Sequence, residues 1–179
     1  PAVDSLIPFV NCSNTDDQKF AIDILGLIGN NSATASIITC LRRSENENVI
    51  LACFEALGNI KAAESLQDLI LFYDTNELYK PTIIEAIGKI GSTEAQKFLI
   101  NKFTIEDTFI KYSIIESIGL IGDESAFYFL LSQLNDMDDV LKFPLAKTLY
   151  MLKEKHQLQL PYDEKVKDLI LKTLQEGDL

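Results

Sequence analysis

One segment recurs down this chain: "AIDILGLIGNNSA" from Ala21, "CFEALGNIKAAES" from Cys53, "IIEAIGKIGSTEA" from Ile83 and "IIESIGLIGDESA" from Ile114. Its glycines, Gly26, Gly58, Gly88 and Gly119, are spaced by 32, 30 and 31 residues, and Tyr150 falls 31 further on. A period of this length belongs to stacked helical units, none of which can bury its apolar face without its neighbours. That requirement narrows the fold before composition is considered.

Five places before the glycine stand Ala21, Cys53, Ile83, Ile114 and Leu145. One place before it stand Leu25, Leu57, Ile87, Ile118 and Leu149, and two places after it Ile28, Ile60, Ile90, Ile121 and Leu152. These offsets share one side of a 3.6-residue helix and predict a buried face. Three places before the glycine are Asp23, Glu55, Glu85 and Glu116, about 160° round from the apolar row. This acidic row is expected to be a solvated outer face, the alternative being a docking strip for a basic partner.

A glycine inside a helix costs about 1 kcal/mol against alanine, so its recurrence predicts close approach by a neighbouring helix. Gly29, Gly91 and Gly122 follow three residues later and suit the left-handed position that ends a helix. Next to them, Asn30, Ser92 and Asp123 suit N-caps of a second helix. In that second helix Ala33, Ser65, Ala95 and Ala126 begin an inward face, continued by Ile37, Leu69, Leu99 and Leu130 and then by Leu41, Tyr73, Phe103 and Leu134. The expected fold is all-α, a right-handed α-α superhelix of about five and a half helical hairpins in a single array. It comprises a half repeat at 1–12, full repeats at 15–43, 46–74, 77–104 and 107–135, and a divergent last repeat at 138–179. Pro81 and Pro144 fall inside first helices and should kink or shorten them.

The segments "LGLIG", "LGNI", "IGKIG" and "IGLIG" resemble the "A-x-x-A-L-G-x-I-G" core of HEAT-like repeats of the phycobilisome-lyase type, over roughly residues 1–152. Lys61 departs from that pattern at the second glycine, and in the last copy Tyr150 and Lys153 stand in place of both glycines. The resemblance implies a non-catalytic protein-binding scaffold; the alternative it implies is an auxiliary subunit of a bilin lyase-like enzyme. Absorbance after incubation with a bilin separates the two, since a scaffold leaves the pigment's spectrum unchanged. In HEAT-like folds the exposed side of the second helices usually lines the concave surface. By offset these positions are Asp4 and Pro8, Ala35 and Thr39, Gln67 and Leu71, Lys97 and Asn101, and Tyr128 and Ser132. Gln67, Leu71, Lys97, Asn101, Tyr128 and Ser132 are therefore the candidate partner-binding residues. Leu71 and Tyr128 place apolar bodies where polar ones are expected, and tyrosine is enriched at binding hot spots. Phe98 and Phe129, on the flank, are expected to pack between adjacent repeats.

Asp and Glu number 27 against 16 Lys and Arg, a net charge of −11. Such a surface repels phosphate backbones and anionic lipid heads, so the expected partner is a protein or peptide, not nucleic acid or a membrane. The chain carries no apolar run long enough to span a bilayer, and "PAVDSLIPFV" lacks the basic start of a signal peptide. Cys12, Cys40 and Cys53 form no CxxC pair, which argues against a disulfide framework and for a cytoplasmic setting. Cys40 and Cys53 fall at inward helical positions, where cysteine behaves as a small hydrophobe, and no histidine is placed in sequence to activate Cys12. His156 is the sole histidine, so no metal, cofactor or catalytic residue is expected. Deoxyhypusine hydroxylase, similar in fold, binds iron through several His-Glu pairs of a kind this sequence lacks.

Ala2 lies 31 residues before Ala33, and Leu6, Ile7 and Val10 then take the inward offsets of a second helix. The chain therefore reads as a piece of a longer protein that begins with half a repeat. It should leave apolar surface open at its N-terminal face and self-associate through it. At the other end, "DEKVKDLILKTLQEGDL" restores a second-helix pattern.

Overall fold

A computed structural model describes residues 2–159, 167–168, 170–172 and 175, which contain α-helices and 3-10 turns and no strand. The chain divides into two compact units, residues 1–95 and residues 96–179. Unit 1 holds α1 (Ala2–Leu6), α2 (Thr15–Ile28), α3 (Thr34–Arg43), α4 (Glu47–Ile60), α5 (Leu66–Tyr73), α6 (Lys80–Ile90) and the first turn of α7 (Thr93–Phe103). Unit 2 holds the rest of α7 with α8 (Thr108–Ile121), α9 (Glu124–Gln133) and α10 (Asp139–His156). The first helices of the repeats pack side by side, α2 on α4 on α6 in unit 1 and α8 on α10 in unit 2.

The inward rows form the core. In the rows five places and one place before the glycine, and in the three second-helix rows, no residue is more than 1% exposed. The row two places after it holds less well. Ile60 and Leu152 are buried and Ile90 and Ile121 half-buried, but Ile28 is 44% exposed. That is a correction with a simple cause: α2 is the first of its row, and the flank carrying Phe20 (63% exposed), Leu27 (77%) and Ile28 faces solvent.

The recurring glycine makes the close approach expected of it at Gly26 and Gly58 but not at Gly119, where a Cβ would meet nothing nearer than 3.4 Å. A Cβ added at Gly26 would lie 2.7 Å from Ala56 Cα, and one at Gly58 would lie 2.7 Å from Ala86 Cα. Helix ends follow the expected chemistry at Gly29 (φ 67°) and Gly91 (φ 72°), and Lys61 adopts the same left-handed conformation at φ 58°. Gly122 does not. Its φ is −57°, and it is small for another reason, because a Cβ there would stand 2.6 Å from the Ile118 carbonyl oxygen and 3.1 Å from Leu152 Cδ2.

The prolines act in three ways. Pro81 lies in the first turn of α6, where its missing N–H is harmless, and α6 has 11 residues against 14 in α2, α4 and α8. Pro144 is buried inside α10, which runs through it for 18 residues and so is not shortened as expected. Pro8 cannot donate the bond an α-helix requires there, and the N-terminal second-helix pattern becomes the short α1 followed by a 3-10 turn, Ile7–Asn11. Val10 is still fully buried, with Leu6 and Ile7 half-buried and Ala2 exposed. Near the C-terminus Ile170 is helical and buried, whereas much of "DEKVKDLILKTLQEGDL" lies outside the described residues.

Candidate partner-binding surfaces

In unit 1 the second helices α3 and α5 are joined by a forked ion pair. Arg42 Nε donates to Asp68 Oδ1 at 2.7 Å and Arg42 Nη2 donates to Asp68 Oδ2 at 2.9 Å, with Asp68 only 5% exposed. A bidentate pair fixes orientation as well as distance, so α5 is held firmly beside α3. On the open side of α5 lie Gln67 and Leu71, both exposed as the offsets require, and Leu71 is 74% exposed. The Gln67 amide Nε2 donates to Glu94 Oε1 at 2.6 Å, tying α5 to the first turn of α7.

In unit 2 the corresponding helices are α7 and α9, and Lys97, Asn101, Tyr128 and Ser132 are all exposed. Here a buried glutamine joins the helices. Gln96 Nε2 donates to Asp123 Oδ1 at 2.8 Å, and Gln96 Oε1 accepts from the Asp123 backbone N–H at 3.0 Å. Asp123 also caps α9, accepting from Ser125 Oγ at 2.6 Å and Ala126 N at 3.1 Å. The Ser125 hydroxyl first, then Gln96 and the backbone N–H groups, hold its carboxyl at about 2, below the ordinary 3.8. Tyr128 is 49% exposed and sets its ring edge-on against buried Phe127, centroids 5.2 Å apart. The Ser132 hydroxyl turns back along its own helix and donates to Phe129 O at 2.6 Å. Phe129 packs edge-on against Phe103 at 5.6 Å, which is the inter-repeat role expected of the flank.

The acidic outer row is partly neutralised within its own helices. Lys19 Nζ bonds Asp23 at 2.6 Å, Lys89 Nζ bonds Glu85 at 2.6 Å, and the Tyr112 hydroxyl donates to Glu116 at 3.2 Å. The Glu116 charge, followed by that hydrogen bond, raises the Tyr112 phenol above its usual range. His156 is exposed; its Nε2 donates to the Gly122 carbonyl at 2.8 Å while Lys155 donates to Leu120 O at 2.9 Å, so the end of α10 caps the end of α8. Among the described residues no group of three or more His, Cys, Asp or Glu could hold a metal ion. None of their helices is long and apolar enough to cross a membrane.

Two features escaped the sequence reading. Lysines eight places before the glycine lie over aromatic rings of the preceding second helix, Lys80 Nζ 5.4 Å from the Tyr73 centroid and Lys111 Nζ 5.6 Å from that of Phe103. Their spacing was visible, but no sequence pattern says that a lysine will lie over a ring. The other is a solvent-open cavity of about 480 Å³ with buried Cys40 on its wall. A second cavity, about 220 Å³, is lined by Leu6, Phe9, Asp17, Phe20 and Ala21 at the N-terminal face.

Helical hairpins joined through small-residue seams, with their second helices open to solvent, define an α-helical repeat protein of the solenoid class. The model for HEAT repeats matches residues 3–77 and 69–149, and the chain belongs to that family. No curated protein matches it. Among solved structures it is similar to an engineered protein whose crystal structure came from the Northeast Structural Genomics Consortium. The TM-score is 0.57 at 16% identity, over 99% of this chain and 97% of that one. At that identity the likeness concerns the fold alone, and HEAT-repeat folds typically serve protein interaction.

Proposed function

We propose that this chain is a non-catalytic protein-binding scaffold. Gln67 and Leu71 in unit 1, and Lys97, Asn101, Tyr128 and Ser132 in unit 2, meet a peptide or protein partner. The observation that carries the reading is Leu71, an apolar side chain 74% exposed on a helix clamped by Arg42 and Asp68. An apolar group fixed in water on a rigid support gains on being covered and loses little entropy in the process. Tyr128 repeats the arrangement in unit 2 with its ring steadied by Phe127. The net charge of −11 favours a protein over a nucleic acid or an anionic membrane.

The test is affinity capture with the immobilised chain, compared with its Leu71→Ser and Tyr128→Ala variants by quantitative mass spectrometry. Loss of a hot-spot contact should cut retention of true partners by about tenfold. Retention should persist in raised salt, since the contact is apolar. An identical retained set from parent and variants would remove the proposal, and retention lost to salt alone would move the site to the acidic outer row.

A further inference from the structure

We propose that the first turns of α8 and α10, with the turn that leads into α8, form a second docking surface, for a protein segment that combines apolar side chains with lysine or arginine. Ile105, Phe109 and Val140 carry it, each between 70% and 73% exposed. Phe109 and Val140 hold one position in the repeat, ten places before Gly119 and Tyr150. Thr108 Oγ1 donates to Asp138 Oδ2 at 2.6 Å, which ties the start of α8 to the start of α10. Helices packed side by side lie about 8–10 Å apart, so the two apolar residues are neighbours on one edge of unit 2. Tyr112, 43% exposed, continues the same face of α8 three residues on. This edge includes none of the second-helix positions Lys97, Asn101, Tyr128 and Ser132, so the inference does not rest on them.

Folding does not require apolar residues here. The same position holds Asp16 in α2, Asn48 in α4 and Leu78 just before α6, all exposed. An acidic group in a first turn gains from the helix N-terminus. Phe109 and Val140 forgo that gain and lie in water, and an exposed apolar cluster marks an interaction site. The surrounding charge selects the partner. In the two connecting turns Asp107, Asp136, Asp138 and Asp139 are exposed and Glu106 is half-buried. The lysines of the same region offset little of this. Lys102 Nζ lies 5.6 Å from the Phe98 ring centroid, Lys111 Nζ 5.6 Å from that of Phe103, and Lys142 Nζ bonds Asp139 at 2.7 Å. Asp107 accepts from Ile110 N at 2.9 Å and Asp138 from Thr108, but both donors are neutral and leave the carboxylates their charge. A cation flanked by apolar side chains therefore pairs with the rim while Phe109 and Val140 are covered. The apolar contact supplies most of the affinity, and the carboxylates decide which partner is admitted.

The experiment measures fluorescence anisotropy of short labelled amphipathic peptides with the whole chain. One peptide combines leucine with lysine, a second leucine with glutamate, and a third serine with lysine. The leucine–lysine peptide should bind at least about tenfold more tightly than either of the others, and raised salt should weaken it several-fold. A Phe109→Ser, Val140→Ser double variant should lose at least about tenfold of that affinity. Leu71→Ser, on the surface proposed above, should leave it unchanged. A photoreactive copy of the peptide should cross-link the parent chain at residues 105–112 and 136–143, a readout that needs no variant to fold. Equal affinity for the serine–lysine peptide would overturn the proposal, since net charge alone would then account for binding. Undiminished affinity in the double variant, or cross-links confined to the second helices, would overturn it as well.

Discussion

A Cβ added to Gly58 in unit 1 would stand 2.7 Å from Ala86 Cα, whereas one added to Gly119 in unit 2 would meet nothing nearer than Thr148 Oγ1 at 3.4 Å. The two glycines hold the same place in the repeat, and the difference comes from the residue opposite. Ala56 faces Gly26 and Ala86 faces Gly58, so α2, α4 and α6 approach backbone to backbone. Thr148 occupies the equivalent place in α10, and its branched side chain fills the gap, with Oγ1 donating to Ile115 O at 3.4 Å. Glycine is thus required in unit 1 by the helix that meets it. In unit 2 the seam accepts a methyl group, and the required glycine is Gly122, where α8 ends.

The largest effect should come from Gly58→Val. It overpacks a backbone contact and should destabilise unit 1 by about 3 kcal/mol or more, read from the shift in denaturation midpoint followed by helical circular dichroism. Adding Ala86→Gly should restore little, since Ala86 Cα itself is the nearest atom. A parental midpoint for Gly58→Val would break the comparison. Gly122→Ala should cost unit 2 about 2 kcal/mol through the Ile118 carbonyl and Leu152, and full stability in that variant would remove the reason given for Gly122.

Asp123→Ala should cost about 1 kcal/mol, as lost N-caps do. The effect has a pH window of known sign. Because folding lowers the Asp123 carboxyl from 3.8 to about 2, its contribution is complete above about pH 4 and disappears as pH falls through 2. Parent and variant melting temperatures should therefore converge toward pH 2, and a constant gap would contradict the assigned hydrogen bonds. The smallest effect is Lys61→Gly, which relieves a left-handed backbone at φ 58° and should stabilise unit 1 by about 0.5 kcal/mol. A loss of stability there would show that the Lys61 side chain matters more than its backbone.

Period and helical offset made the fold legible, because a core shared between neighbours forces the same rows to be apolar in every copy. They located one half of the seam, the glycine, but not the partner row Ala56, Ala86 and Thr148, since a small residue in a helix has many explanations. Gly122 looked like Gly29 and Gly91 in sequence, and only its backbone conformation separates them. The exposure of Gln67, Leu71, Lys97, Asn101, Tyr128 and Ser132 followed from their offsets. The bonds that engage Gln67 with Glu94 and Ser132 with Phe129 O did not, because they depend on how helices turn toward one another and on which rotamer a hydroxyl takes. Arg42 with Asp68 was hidden for the same reason: the pair joins positions on different helices, and no spacing in the chain reports the angle between them.

The most direct test of the seam is a single-methyl comparison, Gly58→Ala against Gly119→Ala, by equilibrium denaturation. Alanine gains about 1 kcal/mol over glycine inside any helix. Gly119→Ala should therefore leave stability unchanged or raise it by up to about 1 kcal/mol. Gly58→Ala should lower it by about 1–2 kcal/mol despite that gain, because its Cβ would stand 2.7 Å from Ala86 Cα. Equal shifts in the two variants, in either direction, would contradict the account.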